Sequence, residues 1–352
     1  MVMIKLPPGN IPENSGFHVR IKNEILPLLG GAMQKAVSAL PLSVLEQVEE
    51  IRLRQERPLI VRTSGGELTV TSEGVVSYSP QEGYMVSATD LERTVQLVTQ
   101  SSLYAVVDEL RQGYLTVRGG HRIGFAGEAV LEKGKVKTLK NFAGLNIRFA
   151  REMKGCADGV LPYLLRPQGD RPYHTMIVSP PRAGKTTLLR DIVRQLSNGI
   201  PSMNFPGTNV GVVDERSEIA GCFRGVPQND VGIRTDVLDG CPKAEGMLML
   251  LRSMGPQVIA TDEIGGVEDV AALEEMLNAG VALLVTVHGS HLGEVENRPT
   301  LKTLVSRGVF ERVVVLGRSL GVGTVEAVLD GCTRRNILPL AINGSGPRRG
   351  AR

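Results

Sequence analysis

Thr175-Met-Ile-Val178 runs into Ser179-Pro-Pro-Arg-Ala-Gly-Lys-Thr186, and the chain continues as Thr187-Leu-Leu-Arg-Asp-Ile-Val-Arg-Gln-Leu196. An apolar strand, a glycine-containing turn and a helix in that order are what a phosphate-binding loop requires, because the amides at a helix start point at an anion. The stretch meets G-x-x-x-x-G-K-[ST] at every specified position but the first, where Ser179 stands for glycine. Backbone N–H groups from Arg182 through Ala183, Gly184 and Lys185 to Thr186 can form the anion nest. Lys185 can reach the β- and γ-phosphates, and the Thr186 hydroxyl can take Mg²⁺. Ser179, Pro180, Pro181 and Thr187 complete the stretch expected against the nucleotide, although the two prolines bring no N–H and only stiffen the approach.

Hydrolysis of a nucleoside triphosphate also needs carboxylates at neighbouring strand ends. Val258-Ile-Ala-Thr-Asp-Glu263 supplies Asp262, suited to Mg²⁺ through water, and Glu263, suited to activating the nucleophile. Val212-Val-Asp-Glu-Arg-Ser-Glu218 is another strand ending in acids, and Leu283-Leu-Val-Thr-Val-His288 one ending in a histidine. In a parallel sheet the carboxyl ends face one crevice, so Asp214, Glu215, Glu218 and His288 are expected to converge on the γ-phosphate. Asp214 joins Thr186 and Asp262 as a candidate for the metal; Glu215, His288, Glu263 and Lys185 are the candidates for the chemistry.

From Tyr173 onward, apolar strands at 175–178, 210–213, 257–261, 281–287 and 313–316 alternate with helices at 185–196, 244–253 and 267–277. That alternation predicts an α/β domain, a mostly parallel sheet with helices on both faces, over 169–340. Upstream, the pattern is smaller and mixed, an α+β domain over 21–168. Val44, Leu45, Val48 and Ile51 read as a helical stripe, Pro58–Val61 and Leu68–Val70 as a hairpin about Gly65-Gly66, and Thr89 with Glu92 as a capping box for a helix burying Leu91, Val95 and Val98. Strands at 114–117, 123–130, 136–139 and 146–149 then suggest an antiparallel sheet. Arg166–Pro172 is the expected linker; 1–20 and 341–352, rich in breakers, read as mobile ends.

The 352 residues leave room for two cores, and 42% apolar with 22% charged residues excludes a disordered chain. Four cysteines with no close pair spell neither a zinc knuckle nor a redox pair. No apolar run approaches the roughly 20 residues of a membrane span, and the start of the chain carries no export signal, so a cytosolic place is expected. A net charge of +3, no tryptophan and 4% aromatic residues argue against a nucleic-acid motor, which needs a basic track and stacking platforms.

The order of phosphate loop, acidic box, metal-binding strand end and histidine box resembles the secretion ATPases of type II and type IV systems. The chain is more similar still to the stage III sporulation protein AA family. That likeness is carried by Ser179–Asp191, Val213–Ile219, Gly225–Asp239 and Leu251–Gly265, and it begins at about Glu49. The resemblance implies a RecA-like, ring-forming ATPase using ATP and Mg²⁺, a hexameric homo-oligomer. It implies a place at the cytoplasmic face of inner-membrane channel proteins that link mother cell and forespore, held there peripherally through partners. By position it gives Lys185 and Thr186 to the phosphate loop, Glu263 to the catalytic glutamate, Asp214 and Glu215 to the acidic box, and His288 to the histidine box. The acidic box here reads Asp-Glu where many such ATPases have Glu-Asp, so the division of metal and water among Asp214, Glu215, Asp262 and Glu263 stays open. Arginines from the amino-terminal domain or a neighbouring subunit often approach the nucleotide in such rings; Arg122 and Arg148 are the candidates, with Arg234 a third. Two other functions fit the same motifs: a nucleic-acid-stimulated ATPase, and an assembly platform that binds nucleotide with little turnover.

Overall fold

The computed structural model describes residues 4–5, 16–167 and 171–338, in two compact units. One comprises 153–220 and 230–338 with the short strand at 4–5; the other comprises 16–152 and 221–229. Apart from Ile4–Lys5, the unit that carries the phosphate loop takes up the chain from Met153, ahead of the expected linker, of which 168–170 lie outside the described residues. Of the ends read as mobile, 1–3, 6–15 and 341–352 lie outside the described residues, whereas Ile4–Lys5 is a strand and Phe17–Arg20 a helical turn with Phe17 buried.

In the loop-bearing unit the sheet runs, from one side to the other, Thr324–Asp330, Arg312–Gly317, Thr175–Ser179, Ala282–His288, Val258–Thr261, Val210–Asp214, Thr235–Asp239, with Ile4–Lys5 added beside Thr324–Asp330. Neighbours from Arg312–Gly317 through Thr235–Asp239 pair in parallel; the two pairings made by Thr324–Asp330 are antiparallel, so the sheet is mixed. Every residue of Thr175–Ser179, Val210–Asp214 and Val258–Thr261 is buried, which requires cover on both faces. The period of two divides the cover. Met176, Val178, Val213, Leu283, Val285 and Val287 share one core with Met247, Leu250, Leu273 and Met276 of the helices Lys243–Met254 and Val267–Asn278. The alternate residues meet the helix Lys185–Asn198, whose Leu188, Leu189, Ile192, Val193 and Leu196 form its buried stripe. The strands and helices expected in this unit are present; Thr235–Asp239, Thr324–Asp330 and the helices Leu292–Glu296 and Pro299–Ser306 add to them.

The second unit is built on an antiparallel sheet in the order Val76–Ser77, Gly66–Val70, Ile60–Thr63, Val48–Arg54, Lys135–Arg148, Arg122–Glu132, Tyr114–Thr116. The hairpin about Gly65-Gly66 pairs Ile60 with Thr69. Three local readings need correction. The helical stripe ends at Leu45: Val48–Arg54 is a strand, and a register shift between Val48 and Glu50 gives its buried residues the three-residue spacing that imitates a helix. The capping box is Ser87 with Asp90, since the helix Ala88–Val98 starts ahead of Thr89; Leu91, Val95 and Val98 are nonetheless its buried side. Lastly, 136–139 and 146–148 belong to one strand of 14 residues, Lys135–Arg148, which stops one residue short of the expected Phe149 and is disguised by a positive φ at Asn141 and by register shifts against its partner.

Candidate active site

The loop strand ends at Ser179, which sits beside His288 in the sheet and is fully buried. Its hydroxyl donates to the Pro180 carbonyl, 2.9 Å away. Ser179 is still strand backbone, and the positive φ angles that curl the loop fall at Arg182 (59°) and Gly184 (92°). A glycine is therefore needed at 184 and not at 179, which accounts for the serine. Lys185 opens the helix, so the amides of Lys185 and Thr186 have no partner within it. Among the described residues, the amides of Arg182, Ala183 and Gly184 donate to no protein acceptor. The nest expected from the sequence is thus a row of available donors, and the macrodipole of a helix of 14 residues adds to its pull on an anion.

Two strand ends bring their residues to Lys185. Its Nζ lies 3.5 Å from Asp262 Oδ1, 3.7 Å from Glu263 Oε2 and 3.3 Å from His288 Nε2. The Thr186 hydroxyl donates to Asp262 Oδ2 at 2.6 Å. Asp262 also accepts from the Thr286 hydroxyl, and the Glu263 amide donates to Thr286 Oγ1 at 2.9 Å. Glu263 holds a φ of 59°, an unusual angle for a side-chain-bearing residue, and its carboxylate lies with Oε1 2.9 Å from His288 Nε2 and Oε2 2.9 Å from Arg216. His288 Nε2 can donate to Glu263 or accept from Lys185, but a neutral imidazole nitrogen cannot do both. Its Nδ1 is buried without a partner, so nothing on the far side of the ring fixes that choice.

The acidic box divides. Asp214 is 2% exposed and its carboxylate accepts backbone N–H bonds from Glu218 (2.8 Å), Ile219 (3.0 Å) and Ala220 (2.8 Å). Burial raises its pKa above the ordinary carboxylate value, against the pull of those amides. Three of the carboxylate's acceptor positions are thus taken by this turn, one on Oδ1 and two on Oδ2. Glu215 pairs with Lys243 and lines, with Asp214, Glu218, Asp262 and Glu263, a cleft of about 20 Å³. Glu218 contributes its backbone: its carbonyl accepts from Arg190 at 2.6 Å.

Arg122 and Arg148 lie in the other unit, opposite one another on adjacent strands. The Arg122 guanidinium sits 3.6 Å above the Tyr114 ring, and Arg148 is 3.6 Å from Glu50. Arg234 serves a different end: its guanidinium donates to the carbonyl of Ser197 at 2.7 Å and to that of Asn198, closing the helix that starts at Lys185. Sequence reasoning missed Thr286, Arg216 and Lys243. Thr286 was findable, since a period of two puts it on the same side of its strand as His288.

The cluster fits a magnesium–triphosphate. A hydroxyl and a carboxylate already aligned at 2.6 Å are the two protein groups Mg²⁺ takes when phosphate and water fill the other positions. No cluster of three or more His, Cys, Asp or Glu able to hold a metal occurs among the described residues.

Residues 19–335 match the family model described as "Sporulation stage III, protein AA". Over 308 residues the chain is 42% identical to stage III sporulation protein AA of Bacillus subtilis (strain 168), covering 88% of this chain and 95% of that protein. Among solved structures, the Legionella pneumophila ATPase DotB superposes with a TM-score of 0.50 at 16% identity, over 76% of this chain and 72% of that one. The Yersinia pseudotuberculosis ATPase DotB does so at 0.50 and 14%, over 81% and 76%. At such identities these two likenesses speak for the fold.

Proposed function

The chain belongs to the sporulation stage III protein AA family, and from that premise we propose that it is a Mg²⁺-dependent ATPase with a RecA-like core. The observation that carries this reading is the meeting of Lys185, Thr186, Asp262, Glu263 and His288 at the ends of three adjacent strands. The amides of Arg182–Thr186 and the Lys185 ammonium bind the phosphates, and Thr186 with Asp262 holds Mg²⁺. The ion neutralises charge on the phosphate oxygens. Glu263 orients the attacking water and takes its proton, while His288 Nε2 holds the Glu263 carboxylate or turns to the γ-phosphate. Glu215 tunes this edge of the site through Lys243.

The same reading makes the protein a ring-forming motor, a hexamer, that works in the cytoplasm on membrane channel proteins between mother cell and forespore. What supports it is the family together with the likeness in fold to the DotB ATPases. No helix of the described residues is long and apolar enough to cross a membrane. Arg122 and Arg148 are proposed to approach the nucleotide in that ring. The test is to measure nucleotide turnover of the purified chain, with and without Mg²⁺, and its native mass with a non-hydrolysable ATP analogue. Turnover that needs Mg²⁺ and a ring-sized mass are expected; absent nucleotide binding defeats the reading.

A further inference from the structure

The turn Arg318-Ser-Leu-Gly-Val-Gly323 joins Arg312–Gly317 to Thr324–Asp330 and has no part in the chemistry above. Arg312–Gly317 runs parallel to the loop strand Thr175–Ser179 on the side away from Ala282–His288. The turn therefore leaves the sheet at the same edge as the phosphate loop and flanks it opposite the acids. Two bonds fasten it there: the Arg318 guanidinium donates to the Pro181 carbonyl at 2.6 Å, and the Gly323 amide to the Ala183 carbonyl at 3.2 Å. A Cβ at Gly184 would stand 3.5 Å from Gly323 Cα and 3.9 Å from Val322 Cγ1, so the turn touches the helix-opening glycine itself.

Two apolar side chains of this fastened turn face solvent: Leu320 is 51% exposed and Val322 66%. Several of its polar groups are bonded within the turn and its flanking strand. The amide of Ser319 donates to Glu326 and that of Leu320 to Thr324 Oγ1, that of Gly321 to the Arg318 carbonyl, and the Ser319 hydroxyl to Glu326 at 2.9 Å. A nucleotide whose terminal phosphate meets Lys185, Asp262 and Glu263 must send its base away from them along the loop.

We propose that Arg318–Gly323 seats the purine of the bound nucleotide, with Leu320 and Val322 lying against its ring. The proposal rests on the nucleotide reading of the phosphate loop. An aromatic base is the occupant that fits, because the surface is apolar, small and contiguous with the loop that takes the phosphates. With four of the turn's donors already engaged, the seat grips the face of the base without reading its edge, so adenine and guanine are held alike.

The experiment is calorimetry with Mg²⁺-ATP, Mg²⁺-GTP and Mg²⁺-tripolyphosphate on the full chain, its Leu320→Ser and Val322→Ser variants and the double variant. ATP and GTP are expected to bind the wild type within about threefold of each other, and the double variant about tenfold more weakly, the scale set by a small apolar contact. Tripolyphosphate, which has no base, is expected to bind all four proteins equally. Both residues are exposed, so folding survives; Leu320→Phe, which enlarges the apolar face, should retain or strengthen ATP binding. Unchanged ATP affinity in the double variant overturns the proposal, as does an equal loss for tripolyphosphate, which would make the turn a brace for the loop. A changed native mass at unchanged ATP affinity would give the turn to subunit contact and also overturn it. If the wild type bound neither nucleotide nor tripolyphosphate, the ATPase reading itself would fall.

Discussion

The Thr186 hydroxyl donates to Asp262 Oδ2 across 2.6 Å, joining the first turn of the loop helix to the end of a strand two places away in the sheet. A hydroxyl oxygen and a carboxylate oxygen at that spacing are aligned for one divalent ion once phosphate is present. Thr186→Ala and Asp262→Asn should therefore each weaken binding of ATP with Mg²⁺ by about tenfold or more, the scale of one charge-assisted contact. Chelating Mg²⁺ with EDTA should bring the wild type close to the variants. Calorimetry with and without the ion checks this, and a Mg²⁺-independent loss in the variants would contradict the shared-ion role.

Glu263 has one oxygen 2.9 Å from His288 Nε2 and the other 2.9 Å from Arg216, contacts that aim its carboxylate. Glu263→Gln preserves its shape and removes its basicity. Turnover should fall by roughly 10²- to 10⁴-fold, the usual reach of a general base, while ATP affinity stays within a few-fold of wild type. Lys185→Ala should instead abolish binding. If the Glu263→Gln protein loses hydrolysis but still supports sporulation, ATP acts as an assembly ligand and not as fuel.

How much of this was legible beforehand depends on how far each signal is local. The loop strand, its helix and the strand ends at Asp262 and His288 are written in short contiguous runs, and they fold as read. Thr235–Asp239 escaped because it is an edge strand, half-buried at every residue and bounded by acids, so it lacks the apolar run of its neighbours. Val48–Arg54 was misread because a bulge changes the spacing of its buried side chains. The site shows the same division. That Asp214 serves the turn ahead of Ala220 depends on where three amides point, and residue type carries no sign of that. Arg216 beside Glu263 is likewise a meeting of residues 47 positions apart.

Away from the site, Asp90 accepts from the Tyr84 hydroxyl at 2.6 Å and from the Ser87 amide at 3.0 Å, as half of the capping box of Ala88–Val98. Burial pushes its pKa up, but the bonds from Tyr84 and Ser87 outweigh it and hold the carboxyl below the ordinary 3.8; Tyr84 in turn is pushed up to about 12. A carboxyl whose pKa falls on folding contributes stability above its unfolded value and loses it as pH drops through the folded one. Asp90→Ala should cost about 1 kcal/mol at pH 7, the worth of a helix cap. In denaturant titrations that gap should narrow below about pH 4; a gap constant from pH 7 to pH 3 would show that the charge on Asp90 is immaterial.

Asp214 and Glu215 are neighbours in sequence with opposite surroundings, and substituting each in turn should separate fold from function. Asp214→Ala strands the amides of Ile219 and Ala220, both buried, along with that of Glu218. A buried donor left without a partner costs about 1–3 kcal/mol, so the variant should lose roughly 2–4 kcal/mol and unfold at lower denaturant. Glu215→Ala breaks only a partly exposed pair with Lys243, worth about 1 kcal/mol or less, and should fold like the wild type. If Glu215 tunes the site through Lys243, turnover in that variant falls while its unfolding midpoint holds. Restoring turnover to Asp214→Ala at low temperature, where its fold persists, would place Asp214 with the scaffold; a turnover defect persisting in the folded variant would give it to the metal.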